Sequence, residues 1–350
     1  MADVSVLNVE LYGESIGTLT RVPGDRSLFA FNEDYIENAD RPTLGLFFKD
    51  EFGDLRTEFK PVQKQVMPFF SNLLPEGHLR KYLAEQAGVN AEREFFLLWA
   101  LGRDLPGAIT IKPADGEIWP PEAAHVTGKD ASNPKDNMLR FSLAGVQLKF
   151  SAIEAASGGL TIPASGIGGN WIVKLPSRDY LGVPENEFSM MRLANMLGID
   201  VPRINLVDIE SIANLPDDTD RFGTKAFVIE RFDRRSSGER VHIEDFAQVF
   251  GLYGEDKYKK ASMRNIAAVI GAEGSDEDIR EFVRRLTFNT LIGNGDMHLK
   301  NWSLIYPDRR TAALSPAYDF VSTIPYITGD SFALNYSRVR DFAAFDEDEI

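Results

Sequence analysis

A polar run near the end of the chain has the residue types and spacing for phosphoryl transfer. Gly-Asp-Met-His-Leu-Lys-Asn occupies positions 295–301, between a predicted apolar helix and a predicted strand. Phosphoryl transfer needs a carboxylate to accept the substrate hydroxyl proton and an oxygen ligand for a metal ion. Asp296 and Asn301 provide that pair, and Lys300 provides a compact positive charge for the γ-phosphate. The alternative interpretation is an Asx-type turn with a solvated lysine.

A second carboxylate, Asp319, follows a predicted hairpin over residues 302–314. Kinases place two acidic or amide ligands on neighbouring loops, because both must reach the same metal-bridged phosphates. Asp319 has the spacing expected of the second one, and Phe320 can pack beneath it. An ordinary loop aspartate is the alternative.

A lysine lies inside an apolar predicted strand. Lys174 belongs to Trp-Ile-Val-Lys-Leu-Pro at 171–176, and a lysine in such a strand must be paired or functional. Glu187, near the start of the next predicted helix, is our preferred partner, and Glu185 is a rival. A strand lysine paired with a helix glutamate holds ATP phosphates in protein kinases. A solvent-facing lysine on an edge strand remains the alternative.

Two further segments are candidates for nucleotide contacts. The turn at 142–149 contains one glycine, Gly145, and its backbone amides can cradle phosphates, although a plain hairpin fits equally. Glu-Arg-Phe-Asp at 230–233 ends a predicted strand, where backbone groups can bond adenine and Asp233 can reach a ribose. A local Arg–Asp pair at a strand end is the alternative there.

The histidines favour neither zinc chemistry nor a hydrolase. The sequence has four histidines without His-x-x-x-His spacing, and no Gly-x-Ser-x-Gly elbow. His298, inside the 295–301 run, is interpreted as shaping that loop through hydrogen bonds rather than as an acid or base.

The pattern along the chain predicts an α+β fold with two lobes. Residues 1–112 predict a small α+β domain, and residues 113–136, rich in Pro, Asp, Gly and Ala, predict a linker. Residues 137–235 predict a small lobe of strands with one helix, and residues 236–350 a mostly helical large lobe. Among the individual elements, residues 44–49 predict a strand and residues 244–249 a helix.

Composition excludes several classes of protein. There are no cysteines, so disulfides, thiolate metal sites and a cysteine nucleophile are excluded. The formal net charge of −15 disfavours direct DNA binding, and the near-helical spacing of Arg280, Arg284 and Arg285 predicts either a small basic patch or a solvated helix face. No signal peptide or membrane span is predicted, so we expect a cytoplasmic protein without a membrane partner.

These motifs together resemble the HipA family of bacterial toxin kinases. The resemblance covers nearly the whole chain. It rests on FFSNLLP at 69–75, LGRDLPGA at 101–108, the 142–149 turn with Gly145, Gln147 and Lys149, IVKLP at 172–176, ENE at 185–187, ERFD at 230–233, NGDMHLKN at 294–301 and YD at 318–319.

The resemblance implies a two-lobed, protein-kinase-like fold with an N-terminal subdomain on the small lobe. It implies ATP and Mg²⁺ as cofactors, with Asp296 as catalytic base assisted by Lys300 and His298, and with Asn301 and Asp319 on the metal. Ser142 becomes an inhibitory autophosphorylation site, since a phosphate there would add negative charge to the cradle. The nucleotide-binding residues on this interpretation are Ala144, Gly145, Val146, Gln147, Lys149, Lys174, Glu187, Glu230, Phe232 and Asp233.

The family also implies partners. Its toxins phosphorylate an aminoacyl-tRNA synthetase, most often the glutamyl enzyme, and a small HipB-like DNA-binding antitoxin neutralises them, so that DNA contact is indirect. Family members usually continue for several helices beyond the region near Ala333, whereas this sequence stops at Ile350. An impaired nucleotide- or antitoxin-binding protein, or a small-molecule kinase on the same fold, is therefore the alternative function.

Overall fold

The computed structural model describes residues 6–114, 149–154, 159–162, 168–177, 179–215, 223–336 and 338–344. Within these residues the chain forms three sheets and three clusters of buried apolar side chains. The described helices include none with the length and apolar character needed to cross a membrane.

The N-terminal sheet is antiparallel, with strand order β4-β3-β2-β1-β5. Its strands are β1 (Val6–Leu11), β2 (Glu14–Val22), β3 (Arg26–Phe31), β4 (Val62–Gln63) and β5 (Ile109–Pro113). Leu7, Val9 and Leu11 alternate inward along β1, as a half-buried strand requires. Tyr12 and Gly13, both at positive φ, make the tight turn into β2.

Helices pack on one side of this sheet. They are α1 (Glu33–Glu37), α2 (Pro68–Ser71), α3 (Gly77–Ala87) and α4 (Glu94–Leu101). Glu94, at the start of α4, is fully buried, and its carboxylate accepts hydrogen bonds from the Val66 amide at 2.9 Å and the Ser71 hydroxyl at 2.8 Å. Arg80 adds an ion pair at 3.0 Å. This buried carboxylate fixes the segment that carries α2.

The second sheet positions Lys174. Its strands are β6 (Lys149–Glu154), β7 (Leu160–Thr161), β8 (Trp171–Lys174), β9 (Ile204–Asp208), β10 (Ile212–Ala213) and β11 (Lys225–Glu230), in the order β10-β7-β6-β8-β11-β9. The helix α5 (Val183–Met196) packs against β11 and β9. Because β8 pairs with β6 on one side and β11 on the other, Lys174 is not on an edge strand.

The large lobe combines helices with a third sheet. Its elements are β12 (His242–Asp245), α6 (Phe246–Val249), α7 (Met263–Glu273), α8 (Asp276–Leu291), β13 (Ser303–Tyr306) and β14 (Ala313–Leu314). Ser262 and Ser275 cap α7 and α8 with capping boxes. The α+β class is confirmed, but the described part of this lobe is less helical than predicted, because β12 and a long irregular stretch after β14 add non-helical residues to the predicted hairpin.

One element prediction was wrong, and the helix predicted at 244–249 begins two residues later than expected. Leu46–Phe48 is a short 3-10 helix rather than a strand, and residues 242–245 are strand before the short α6. Both segments contain buried side chains because they lie where the N-terminal domain meets the large lobe. There the Leu46 amide donates to the Glu244 carboxylate at 2.9 Å. Burial against a distant segment therefore determined the conformation, and the local sequence pattern did not predict it.

The arginines of α8 form no free basic patch. Arg280 pairs with Glu277 at 2.9 Å and Arg284 with Glu281 at 2.6 Å. Arg285 is buried, bonds Glu281 and donates to the Ser315 carbonyl at 2.7 Å. The ion-paired helix face is thus the correct interpretation.

A buried carboxylate lies at the junction between the N-terminal domain and the large lobe. Glu244 is fully buried, and one of its oxygens accepts hydrogen bonds from the Leu46 amide and the Tyr306 hydroxyl. Its second oxygen has no hydrogen-bond partner among the described residues. Burial raises the pKa of Glu244 to about 7, with the Tyr306 and Leu46 hydrogen bonds opposing the rise.

We expect Glu244 to make the fold less stable as pH rises from 5 to 8. A carboxyl whose folded pKa exceeds its unfolded value retains a proton in the folded state, so its contribution is lost between about 4.5 and 7. The expected loss is about 3 kcal/mol at most. Urea unfolding at pH 5 and pH 8 measures it, and Glu244→Gln should remove it. Burial lowers the pKa of His242 to about 4, so His242 makes the fold more stable as pH rises. This effect is the same in the wild type and in Glu244→Gln, so it cancels when the two proteins are compared.

Candidate active site

Asp319 occupies an unusual backbone conformation after β14. Its φ is +59°, in the left-handed region that a non-glycine residue adopts only when surroundings impose it. The Asn294 side-chain nitrogen donates to the Asp319 carbonyl at 3.4 Å, and the following Phe320 is buried against Phe288. These contacts aim the Asp319 carboxylate at the second sheet, away from its own loop.

Lys174 meets two carboxylates there. Its ammonium group bonds the Glu187 carboxylate on α5 and the Asp319 carboxylate, and both Lys174 and Glu187 are buried. Lys149, opposite Lys174 on β6, lies 3.5 Å from Asp319. The Lys174–Glu187 pairing is confirmed in this geometry, whereas Glu185 is half-buried in the first turn of α5.

Lys174, Glu187 and Asp319 form a triad whose members, together with Lys149, shift one another's pKa values. Burial alone would lower the pKa of Lys174, but Asp319 and Glu187 raise it above its ordinary value. Burial would likewise raise the pKa of Asp319, but Lys149 and Lys174 hold it well below its usual range. Burial raises the pKa of Glu187 despite the attraction of Lys174. Asp319 is thus ionised at neutral pH.

Asp296 lies on the loop after α8. The Tyr258 hydroxyl donates to its carboxylate at 2.7 Å, and its amide donates to the Asn294 side chain at 3.1 Å. Burial raises the pKa of Asp296, with the Tyr258 hydrogen bond opposing the rise. A carboxylate with a raised pKa is better suited to accept a proton than one with an ordinary pKa, and the exposed Asp296 side chain remains accessible to a substrate.

Asn301 and His298 brace the same loop. The Asn301 side-chain nitrogen donates to the Asp296 carbonyl at 2.8 Å, which leaves its side-chain oxygen as the atom available to a metal ion. The His298 amide donates to the same carbonyl at 2.8 Å. Burial and the neighbouring Lys257 lower the pKa of His298 to about 3, so the imidazole is neutral and acts as a structural group at physiological pH.

Lys300 does not point toward the triad. Its ammonium group donates to the Asn72 carbonyl at 2.9 Å and side-chain oxygen at 3.0 Å, and pairs with Asp245 at 3.1 Å. In place of the orientation expected for a γ-phosphate contact, Lys300 contacts Asn72 of the N-terminal domain and Asp245 of β12. The Lys300 ammonium group bonds the oxygens nearest to it in space, and those of Asn72 are 228 residues away in sequence.

Asp233 also has a different position from that predicted. It is buried, and its carboxylate accepts hydrogen bonds from the Gly107 amide at 2.8 Å and from Arg231 and Arg234. Asp104 of the N-terminal domain pairs with the same two arginines. The Arg–Asp interpretation is thus correct, and the carboxylate is occupied by domain docking rather than free for a ribose.

The remaining predicted residues are distributed as follows. The Glu230 carboxylate pairs with Arg203 at 2.8 Å, and the Phe232 ring lies 5.7 Å from that of Tyr318. The predictions for the 142–149 turn concern residues that lie outside the described part of the chain, except for Lys149 at the start of β6; the others are Ser142, Ala144, Gly145, Val146 and Gln147.

Two residues that hold Asp296 in place were not predicted from the sequence. Tyr258 and Asn294 both bond Asp296, and Asn294 also links it to the Asp319 backbone. Asn294 is adjacent to the 295–301 run and its position was a usable signal. Tyr258 lies 38 residues before Asp296 in an irregular segment, and no local pattern distinguished it.

The donor set fits magnesium better than a transition metal. Asp319 presents an ionised carboxylate and Asn301 a neutral amide oxygen, both hard ligands of the kind that Mg²⁺ uses together with phosphate oxygens and water. The described residues contain no cluster of three or more His, Cys, Asp or Glu that would form an all-protein metal cage. Asn301 and Asp319 would hold the ion, with Lys174 and Lys149 beside the phosphates.

The fold and this site define the class: a two-lobed, protein-kinase-like protein with a strand lysine, a helix glutamate and a loop aspartate in one ion-paired group. Comparisons with known proteins agree. Residues 7–112 match the model of the HipA N-terminal domain, and residues 141–349 match the model of the HipA-like C-terminal domain. The chain belongs to the HipA family.

Its relatives include named kinases. Y4dM of Sinorhizobium fredii, named as a presumed kinase, is 58% identical over all of this chain and 85% of its own length. Y4mE of the same organism is 30% identical over 92% of this chain and 78% of its own length. The serine/threonine-protein kinase toxin HipA of Shewanella oneidensis is 32% identical over 76% of this chain and 65% of its own length. The chain is thus a HipA-like kinase.

A solved structure has the same fold. The Shewanella oneidensis complex of HipA, HipB and operator DNA contains a chain that superposes with a TM-score of 0.73 at 24% identity, over 98% of this chain and 82% of the other. This similarity supports the fold assignment alone.

Proposed function

We propose that this protein is a Mg-ATP-dependent serine/threonine kinase that phosphorylates Ser142 of its own chain and a protein of the translation machinery. The observation that carries the proposal is the convergence of Lys174, Glu187 and Asp319 on one point. Asp319 is 145 residues from Lys174 in sequence, so only the tertiary fold joins them. In protein kinases the strand lysine binds ATP phosphates, the helix glutamate pairs with that lysine, and the loop aspartate binds magnesium.

The chain's own residues supply positioning and one proton transfer. Bound Mg-ATP would supply the γ-phosphoryl group and an electrophilic phosphorus. Lys174 and Lys149 would neutralise phosphate charge, and Asn301 and Asp319 would hold the metal. The Asp296 carboxylate would accept the proton of the attacking hydroxyl as the new O–P bond forms and the bond to the ADP oxygen breaks. Backbone groups of Glu230 and Phe232 are proposed to bond the adenine.

We further propose that the protein is the toxin of a toxin–antitoxin pair. Its proposed target is an aminoacyl-tRNA synthetase, with the glutamyl enzyme first among the candidates, and its proposed neutralising partner is a small HipB-like DNA-binding protein. Support comes from the relative named as a kinase toxin and from the solved complex of a structural neighbour with HipB and DNA. The net charge of −15 is consistent with DNA contact through the partner alone.

Incubation of dephosphorylated protein with Mg-ATP should place one phosphate on Ser142. Peptide mass spectrometry measures it, with Ser142→Ala as the control for site and Asp296→Asn as the inactive reference. Wild-type protein that gains no phosphate on itself or on any synthetase, yet binds ATP by calorimetry, would contradict the kinase proposal. Turnover of a metabolite without transfer to protein would instead favour a small-molecule kinase.

A further inference from the structure

A segment of the N-terminal domain, residues 66–76, lies against the loop that carries Asp296. Within this segment Asn72 is buried and accepts two hydrogen bonds from Lys300, one at its carbonyl and one at its side-chain oxygen. The Asn72 side-chain nitrogen donates to the Leu252 carbonyl at 2.7 Å. One asparagine thus joins the 295–301 loop to the irregular stretch that follows α6.

Glu76, four residues later, contacts the same two segments through its charge. Its carboxylate pairs with Lys257 at 2.7 Å and lies 3.5 Å from Lys300. Burial would raise the pKa of Glu76, but Lys300 and Lys257 hold it below its ordinary value, so the carboxylate is ionised at neutral pH. Gly254 permits this approach, since a Cβ there would lie 2.6 Å from a Glu76 oxygen.

Lys257 leads directly to the catalytic base. Its carbonyl accepts a hydrogen bond from the Leu299 amide at 3.3 Å, inside the loop. Its neighbour Tyr258 donates to the Asp296 carboxylate at 2.7 Å, and the Tyr258 ring packs edge-on against His298. Restraining Lys257 and Lys300 therefore restrains the loop on both sides of Asp296.

The 66–76 segment is itself rigidly held. The fully buried Glu94 bonds the Val66 amide and the Ser71 hydroxyl, as described above. The Gln248 side chain donates to the Phe69 carbonyl at 3.0 Å, and Tyr253 donates to the Val66 carbonyl at 3.2 Å. A rigid support of this kind is what a catalytic group needs, because small displacements of the base lower the rate steeply.

We propose that Asn72 and Glu76 are positioning residues for Asp296, so that the N-terminal domain forms part of the active site. Lys300 connects Asn72 and Glu76 to the 295–301 loop. On this proposal it restrains the loop and does not bind phosphate. The inference rests on the proposed kinase function. It explains why an ionised carboxylate of the N-terminal domain lies between two lysines that belong to the segments holding Asp296.

The test is Glu76→Gln, which removes the charge and keeps the size of a side chain that is 40% exposed. We expect the maximal rate of Ser142 phosphorylation to fall about tenfold, with the half-saturating Mg-ATP concentration unchanged, because Glu76 touches no proposed nucleotide contact. Glu76→Asp should restore part of the rate. Combining Glu76→Gln with Lys300→Met should cost less than the sum of the two single losses, since the two residues share one contact while Glu76 also pairs with Lys257.

Asp40→Asn is the matched control. Asp40 is also an acidic residue of the N-terminal domain that pairs with the large lobe, at 2.6 Å to Arg310, but it is remote from the loop. It should leave the rate unchanged. Hydrogen–deuterium exchange gives a second readout: amides at 295–301 should exchange faster in Glu76→Gln and not in Asp40→Asn.

The two proposals fail differently. An active wild type, an inactive Asp296→Asn and a Glu76→Gln variant with wild-type rate and exchange would overturn the positioning role alone. A wild type without Mg-ATP-dependent transfer would overturn the proposed function. In that case the exchange measurement still decides whether Glu76 restrains the loop.

Discussion

Replacing Asp296 by asparagine should lower the rate of phosphoryl transfer by a factor of about 10² to 10⁴. The substitution removes the proton acceptor and little else. Asparagine retains the oxygen that accepts the Tyr258 hydrogen bond, so the loop keeps its geometry. The described contacts of Asp296 do not include Lys174 or Asp319, so the dissociation constant of Mg-ATP should stay within about twofold of wild type.

Transfer to Ser142 by mass spectrometry and Mg-ATP binding by calorimetry are the two measurements. Asp308→Asn is the matched control, because Asp308 is an exposed aspartate of the same lobe that caps the hairpin turn after β13. It should leave both quantities unchanged. An Asp296→Asn protein that transfers phosphate at the wild-type rate would mean that another group accepts the proton.

Replacing Lys174 by methionine should lower the free energy of unfolding by about 3 kcal/mol or more. Methionine matches the length of the side chain but removes the ammonium group shared by Glu187 and Asp319. Removing one partner of a buried ion pair leaves an uncompensated buried charge, and that typically costs about 3 to 5 kcal/mol. Glu187 is fully buried, and one of its oxygens already has no hydrogen-bond partner among the described residues.

The loss should be smaller at pH 5 than at pH 8. Burial raises the pKa of Glu187, and without Lys174 nothing on that oxygen opposes the rise, so the folded protein takes up a proton. A carboxyl with a raised folded pKa stabilises less as pH increases. A loss of equal size at both pH values would show that Glu187 is not the group left unpaired.

Urea unfolding followed by tryptophan fluorescence measures both effects, since Trp171 is on the same strand. Lys225→Met is the matched control, because Lys225 pairs with Asp208 at 2.7 Å between neighbouring strands of the same sheet, but the pair is exposed. Exposed pairs contribute about 0 to 1 kcal/mol. A Lys174→Met protein no less stable than Lys225→Met would mean that the triad is already solvated.

Much of the fold was predictable where local pattern and burial coincide. Strands β5, β8 and β11, helix α5 and the long helix α8 all follow from alternation or helical period in the sequence. The wrong strand at 44–49 and the shifted start of the helix at 244–249 lie at the contact between the N-terminal domain and the large lobe. There each residue's environment is set by a segment distant in the chain.

The sequence by itself determined which chemical groups are present and how far apart they lie: Asp296, Asn301 and Asp319 at fixed spacing, and a lysine in an apolar strand that required a partner. Only the tertiary structure decided which carboxylates pair with that lysine. It also decided that Asp233 pairs with Arg231 and Arg234, and that Lys300 bonds Asn72. The physical reason is that a buried charge selects the nearest compensating group in space. For these side chains that group lies from one residue to 228 residues away along the chain, a range that no local period encodes.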